Sequence, residues 1–131
     1  MQRDRLLNSR EEEVMATVVH TNINVLKRPD GVIEVKIVPP VTRVPNNDGV
    51  ADAQLTWKVT GAALTALNWK SGHGQPTLTA TSATTMESAV YTKNTSPKSV
   101  NWDYEFTVQV NGGGPTLLID PEVENLPPGQ P

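Results

Sequence analysis

The 131-residue chain contains no cysteine. That excludes disulfide scaffolds, cysteine-ligated zinc and iron–sulfur sites, and thiol catalysis. Aromatic residues are scarce, with three Trp, two Tyr and one Phe, so a core has first claim on them. Histidine occurs only at His20 and His73. A basic excess is also missing, because 11 Lys and Arg face 14 Asp and Glu, for a formal net charge of -3. Binding to nucleic acid needs a cationic face that displaces counterions from phosphates, so nucleic acid is not an expected partner. No window approaches the roughly 18 consecutive apolar residues of a membrane helix. The start, Met1 to Glu13, carries seven charges and a single Leu-Leu pair, not the apolar run of a signal peptide. The chain therefore reads as soluble, without a membrane partner and cytoplasmic by default.

What is present points to strands. Valine (16) and threonine (15) make up about a quarter of the residues, and Pro and Gly add 11 and 9. β-Branched side chains fit a pleated surface, and Pro and Gly supply the turns between strands. The length suits one domain with a continuous core. Residues 1–13 read as a charged, flexible leader, 14–120 as the domain, and 121–131 as an extended proline-rich tail. Four of the last eleven residues are proline, and proline cannot donate to a sheet ladder. The tail should therefore be extended and either solvated or docked along an edge strand, with only Val123 and Leu126 to anchor it.

Period-two patterning then lays out the strands. Val19, Thr21, Ile23 and Val25 share one face, with His20, Asn22 and Asn24 on the other. Arg28-Pro29-Asp30-Gly31 has the residue preferences of a type I turn. It leads to Ile33, Val35 and Ile37 opposed by Glu34 and Lys36, so the two stretches predict an antiparallel hairpin. Pro39-Pro40 ends that strand, and Val41 to Val44 can pair again only at an edge or in another sheet. Leu55, Trp57 and Val59 form a third inward row. A fourth strand covers about Ala63 to Trp69, and Thr77 to Ser82 reads as a weakly specified edge. From Val100 to Val110, Val and aromatic residues alternate with polar ones without interruption. Asn111-Gly112-Gly113-Gly114 turns into a last strand, Thr116 to Asp120. Seven to eight strands predict an all-β fold, an antiparallel β-sandwich. It is most similar to the immunoglobulin type, ahead of a jelly roll or a barrel, with Trp57 at the central core position and Tyr104-x-Phe106 at the tyrosine-corner spacing. Phe106 stands where antibody domains carry a cysteine.

Chemistry-bearing groups are few. Ser71-Gly72-His73 places a hydroxyl near an imidazole, but no nucleophile-elbow pattern surrounds it, so His73 reads as a solvated turn residue. Asp103 and Glu105 share a face, and Asp30, Asp48 and Asp52 lie at turns. None of them forms a calcium-loop motif, and Asn46-Asn47-Asp48-Gly49 is turn chemistry. Gly112-Gly113-Gly114 lacks the helix and Lys of a phosphate cradle. No catalytic residue, metal or cofactor is expected. Asn94-Thr95-Ser96 matches a glycosylation acceptor, a pattern common by chance. The aromatics outside the buried phases are Trp69 and Tyr91. With His73, they make the candidate ligand or interaction surface.

The stretch Ile119-Asp120-Pro121-Glu122-Val123-Glu124-Asn125 resembles the DP-EP family of small bacterial proteins. Its motif element here is Asp120-Pro121, and the chain has no Glu-Pro dipeptide. The resemblance implies an immunoglobulin-like sandwich and assigns no activity. The expected role is therefore non-enzymatic: a protein-interaction or assembly module that binds a protein partner or itself through an edge strand. The alternative is a carbohydrate or small-ligand module that uses the exposed aromatics, and a third reading is an enzyme in which His73 and an acid from Asp103 or Glu105 converge in one pocket.

Overall fold

Residues 16–69 and 75–131 are described by the computed structural model, and they form eleven strands and no helix. One sheet runs in the order β2 (Ile33–Val38), β1 (Thr17–Lys27), β4 (Asp52–Thr60), β7 (Thr85–Ser88), β6 (Leu78–Ala80), and β8 (Tyr91–Thr92) also pairs with β4. The other is organised around β9 (Val100–Val110). On one side of β9 lies β5 (Ala62–Trp69), and on the other lie β10 (Thr116–Ile119) and β11 (Glu122–Asn125), with β3 (Val41–Val44) beyond β11. The all-β sandwich expected from the sequence is thus present, with more strands than the patterning resolves. The extra elements are β7, β8 and β11, each of four residues or fewer. Such lengths are too short for periodicity to register.

The sheets are mixed, not antiparallel throughout. β1 runs parallel to β4, and β11 parallel to β3. The inward rows are those that the alternation marks. Ile23, Val25, Leu55, Trp57 and Val59 from the first sheet meet Trp102, Tyr104, Phe106 and Val108 from the second, all buried. Thr21 and Thr42 are buried between the sheets, and their hydroxyls are hydrogen-bonded to each other. The Tyr104 hydroxyl donates to the Pro76 carbonyl at 3.1 Å, 28 positions earlier in the chain. A tyrosine corner would bond a few residues upstream.

The C-terminal segment departs most from expectation. Residues 122–125 are extended and docked, not solvated, and they form a full strand between β9 and β3. Ile119 stands opposite Phe106, and Glu122 stands opposite Asp103, so the pairing with β9 keeps one register across residues 120 and 121. β10 and β11 are in effect one strand. Pro121 divides them because it can accept from the Tyr104 N–H (3.2 Å) but has no N–H to return. Ile119, Pro121, Val123 and Asn125 alternate inward across the break. The surface ion pair Arg43–Glu124 (2.8 Å) joins residues directly opposite each other in β3 and β11.

Both predicted hairpin turns form. Gly31 N–H donates to the Arg28 carbonyl (2.9 Å), and Gly114 N–H to the Val110 carbonyl (3.0 Å). A tighter constraint sits at Gly61, the single residue between β4 and β5, where the chain passes from one sheet to the other. Its φ is +82°, and a Cβ there would lie 1.9 Å from the Val25 carbonyl oxygen. Gly31 has a similar φ of +88°, but a Cβ there would meet nothing within 4 Å. Gly61→Ala is therefore expected to cost about 2–4 kcal/mol in urea unfolding, and Gly31→Ala about 1–2 kcal/mol. Equal losses would show that the close approach to Val25 contributes nothing.

Candidate functional site

A cavity of about 330 Å³ opens where β8, the loop after it, the start of β9 and the end of β11 converge. Tyr91, Lys93, Asn94, Val100, Trp102 and Asn125 supply most of its lining. Phase places these groups together: Trp102 occupies the inward row of β9, and Asn125 continues the inward alternation of β11. Asn125 and Trp102 are close because Asn125 stands opposite Val100, two residues before Trp102 in β9.

Aromatic and amide groups share the work of closing this corner. Tyr91 and Trp102 pack edge to face, with ring centroids 4.8 Å apart at 66°. The Tyr91 hydroxyl donates to Asn125 Oδ1 (2.8 Å), and Asn125 Nδ2 donates to the Val100 carbonyl (3.2 Å). Asn94 Nδ2 donates to the Lys98 carbonyl (2.7 Å) and the Asn125 carbonyl (3.2 Å), and Asn94 Oδ1 accepts from the Ser96 N–H. The Asn94-Thr95-Ser96 stretch is thus an Asx turn that knits the loop together. Asn46 Nδ2 ties that loop to the chain end by donating to the carbonyls of Asn94 (2.8 Å) and Leu126 (3.0 Å). Burial pushes the Tyr91 phenol above its ordinary range, so it remains a hydrogen-bond donor and is no base. The Trp102 indole N–H finds no hydrogen-bond partner among the described residues.

Lys93 is the one charged group in the lining. Its side chain is 3% exposed, and its ammonium donates to Asp48 Oδ1 at 2.6 Å. The Thr17 hydroxyl donates to Asp48 Oδ2 (2.6 Å), and the Val50 N–H to Asp48 Oδ1 (3.0 Å). Lys93 first, then Thr17 and the Val50 amide, hold the Asp48 carboxyl well below its ordinary value of 3.8. The Asn46–Gly49 turn therefore does more than reverse the chain, because Asp48 neutralises a buried ammonium.

The sequence-based candidates separate in space. Tyr91 lines the cavity. Trp69 ends β5 opposite Tyr104, and its side chain lies outside the described residues, as do Ser71 and His73. His20 is exposed on the outer sheet face, with Nδ1 2.8 Å from Thr56 Oγ1 and Nε2 2.9 Å from Asn22 Oδ1. Asp103 points outward from β9 on the face opposite Trp102 and Tyr104. Among the described residues, no three His, Asp or Glu side chains are grouped to hold a metal ion, and no helix is long and apolar enough to cross a membrane. Lys93, Asn94, Trp102 and Asn125 were not among the sequence candidates. The inward phase of Trp102 was legible but reads as core, and nothing local marks Lys93. A scan against protein-family models finds no match to the chain, and neither does a search of curated proteins.

The Asp48–Lys93 pair has a defined pH dependence. Because the folded pKa of Asp48 lies below the unfolded one, the pair stabilises the fold at pH values above 3.8 and loses that contribution as pH falls toward the folded value. Asp48→Asn is expected to lower the melting temperature at neutral pH. The gap to wild type should narrow below about pH 4. A gap that stays constant down to acid unfolding would contradict this role.

Proposed function

We propose that the chain is a non-enzymatic interaction module that works by adding a strand to a sheet edge, and that it belongs with the DP-EP-like, immunoglobulin-type sandwiches that its Asp120-Pro121 stretch resembles. The observation that carries this reading is the state of β2. It is an outer strand of its sheet, six residues long, and its inward-phase Val35 is 41% exposed, while Val38 is 42% exposed.

The backbone of β2 is equally available. Arg28 N–H donates to the Val32 carbonyl (2.8 Å), which sets the hydrogen-bonded phase of the hairpin. Bonded pairs alternate in an antiparallel ladder, so Glu34, Lys36 and Val38 bond to β1. Ile33, Val35 and Ile37 turn their N–H and C=O groups to the open side. The edge expected from the sequence, at Thr77 to Ser82, is β6. It too is an edge strand, but of only three residues. β5 is interrupted by an irregularity between Leu64 and Ala66, and its Leu64 N–H is taken by the Ala83 carbonyl.

Val35→Pro removes an outward N–H while leaving the bonded pairs with β1 in place. Partners captured from source-cell lysate by the wild type should be lost with this variant and retained with Ala80→Pro, which likewise removes an outward N–H, from β6. Equal recovery on wild type and Val35→Pro, with both folded by circular dichroism, would reject the reading.

A small-ligand role is favoured by one observation, the cavity beside Tyr91 and Trp102. Its polar lining of amides, hydroxyls and a neutralised ammonium suits an uncharged hydroxylated ligand such as a sugar. Tryptophan emission titrated against a glycan panel should shift in the wild type and not in Trp102→Phe. A panel without any shift removes this second reading.

A further inference from the structure

Read from the open side, β2 is complementary to itself. We infer that β2 forms the interface of a symmetric homodimer, pairing antiparallel with β2 of a second copy across a two-fold axis at Val35. The inference rests on the edge reading above and names the partner as another copy of this chain.

The register follows from the residues. With Val35 opposite Val35 of the second copy, Ile33 stands opposite Ile37 and Ile37 opposite Ile33. Ile33, Val35 and Ile37 are the residues whose N–H and C=O groups face outward, so each pair exchanges two hydrogen bonds. A two-fold axis requires this reciprocity, since one patch must fit itself. On the outer face the same register sets Glu34 opposite Lys36 of the second copy, and Lys36 opposite its Glu34. Both positions are exposed, and non-bonded pairs bring side chains closest together. Lys36 has no ion pair among the described residues, and Glu34 meets Arg28 at 3.3 Å in an exposed contact that contributes little. On the inner face, half-exposed Val35 meets its own copy between the isoleucines. Beyond Val38, the next outward position is Pro39, which has no N–H to offer, so the pairing ends where the strand does. Joining the two copies makes one continuous sheet from β6 of one to β6 of the other.

Parallel pairing of the two strands, or a shift by two residues, would break the Glu34–Lys36 match. Single-sign edge charges would oppose self-pairing, and in a strand this short they are a common defence against it. Here the opposite signs are placed symmetrically about Val35 and favour it.

The test is a charge swap read by sedimentation equilibrium on the full chain. Wild type should be dimeric. Glu34→Lys sets lysine against lysine at both cross-strand positions, and Lys36→Glu sets glutamate against glutamate. Each variant alone should raise the dimer dissociation constant at least about tenfold. An equimolar mixture restores opposite charges at both positions and should recover the dimer. Both substitutions lie on an exposed face, and circular dichroism checks the fold. Wild type that remains monomeric up to about 1 mM, the weak end of specific association, overturns the inference; the edge reading then stands or falls on Val35→Pro. Variants that dimerise like wild type, or a mixture that does not recover, overturn the register. Amide exchange at Ile33, Val35 and Ile37 should slow as concentration rises. Protection independent of concentration would mean that the edge is covered from within the chain, which also overturns the dimer.

Discussion

The two sheets meet at the contact between Trp57 on β4 and Tyr104 on β9, whose ring centroids lie 5.4 Å apart at 70°. Both side chains are fully buried, in a chain with six aromatic residues. Few other side chains here could fill the space between sheets about 10 Å apart. β9 carries Tyr104 in a row with Trp102, Phe106 and Val108, and β5, β10 and β11 all bond to that one strand. The second sheet therefore depends on β9 being straight, long and unbroken. The alternation from Val100 to Val110 provides for this.

Two local devices let the remaining chain follow that strand. Gly61 turns β4 into β5 across the sandwich with a backbone that no larger residue could adopt so close to Val25. Pro121 interrupts the partner strand without moving its register, because losing one N–H removes a single bond and leaves the alternation intact. β11 can then reach β3, and Asn125 can enter the Tyr91–Trp102 corner. The cavity is thus a consequence of how the C-terminal strand is docked, and its polar groups are mostly engaged with one another.

The first sheet is finished differently at its two sides. β6 is short, whereas β2 keeps its length, its outward amides and a half-covered inner row. Lys93 is buried near the opposite corner, and its charge is offset by Asp48. Function proposed for this molecule accordingly falls on a strand edge and not on a catalytic constellation.

The strands of nine or more residues were readable from the chain, because period-two alternation over that length has no other physical explanation. The inward rows of β1, β4 and β9, the turns at Gly31 and Gly112, and the Trp57 and Tyr104 core positions were determined by sequence alone. Strand direction was not, since alternation is the same for parallel and antiparallel neighbours; only packing set β1 beside β4 and β11 beside β3. Prolines at 121, 127, 128 and 131 suggested an extended tail that is solvated or docked at an edge, because composition does not reveal a register that tolerates one missing donor. Tyr91 was legible as a candidate, while its partners Lys93, Asn94 and Asn125 were not. Lys93 and Asn94 follow Tyr91 closely in the chain, but their roles come from contacts with Asp48 and Asn125, far away in sequence, and no local pattern encodes such contacts.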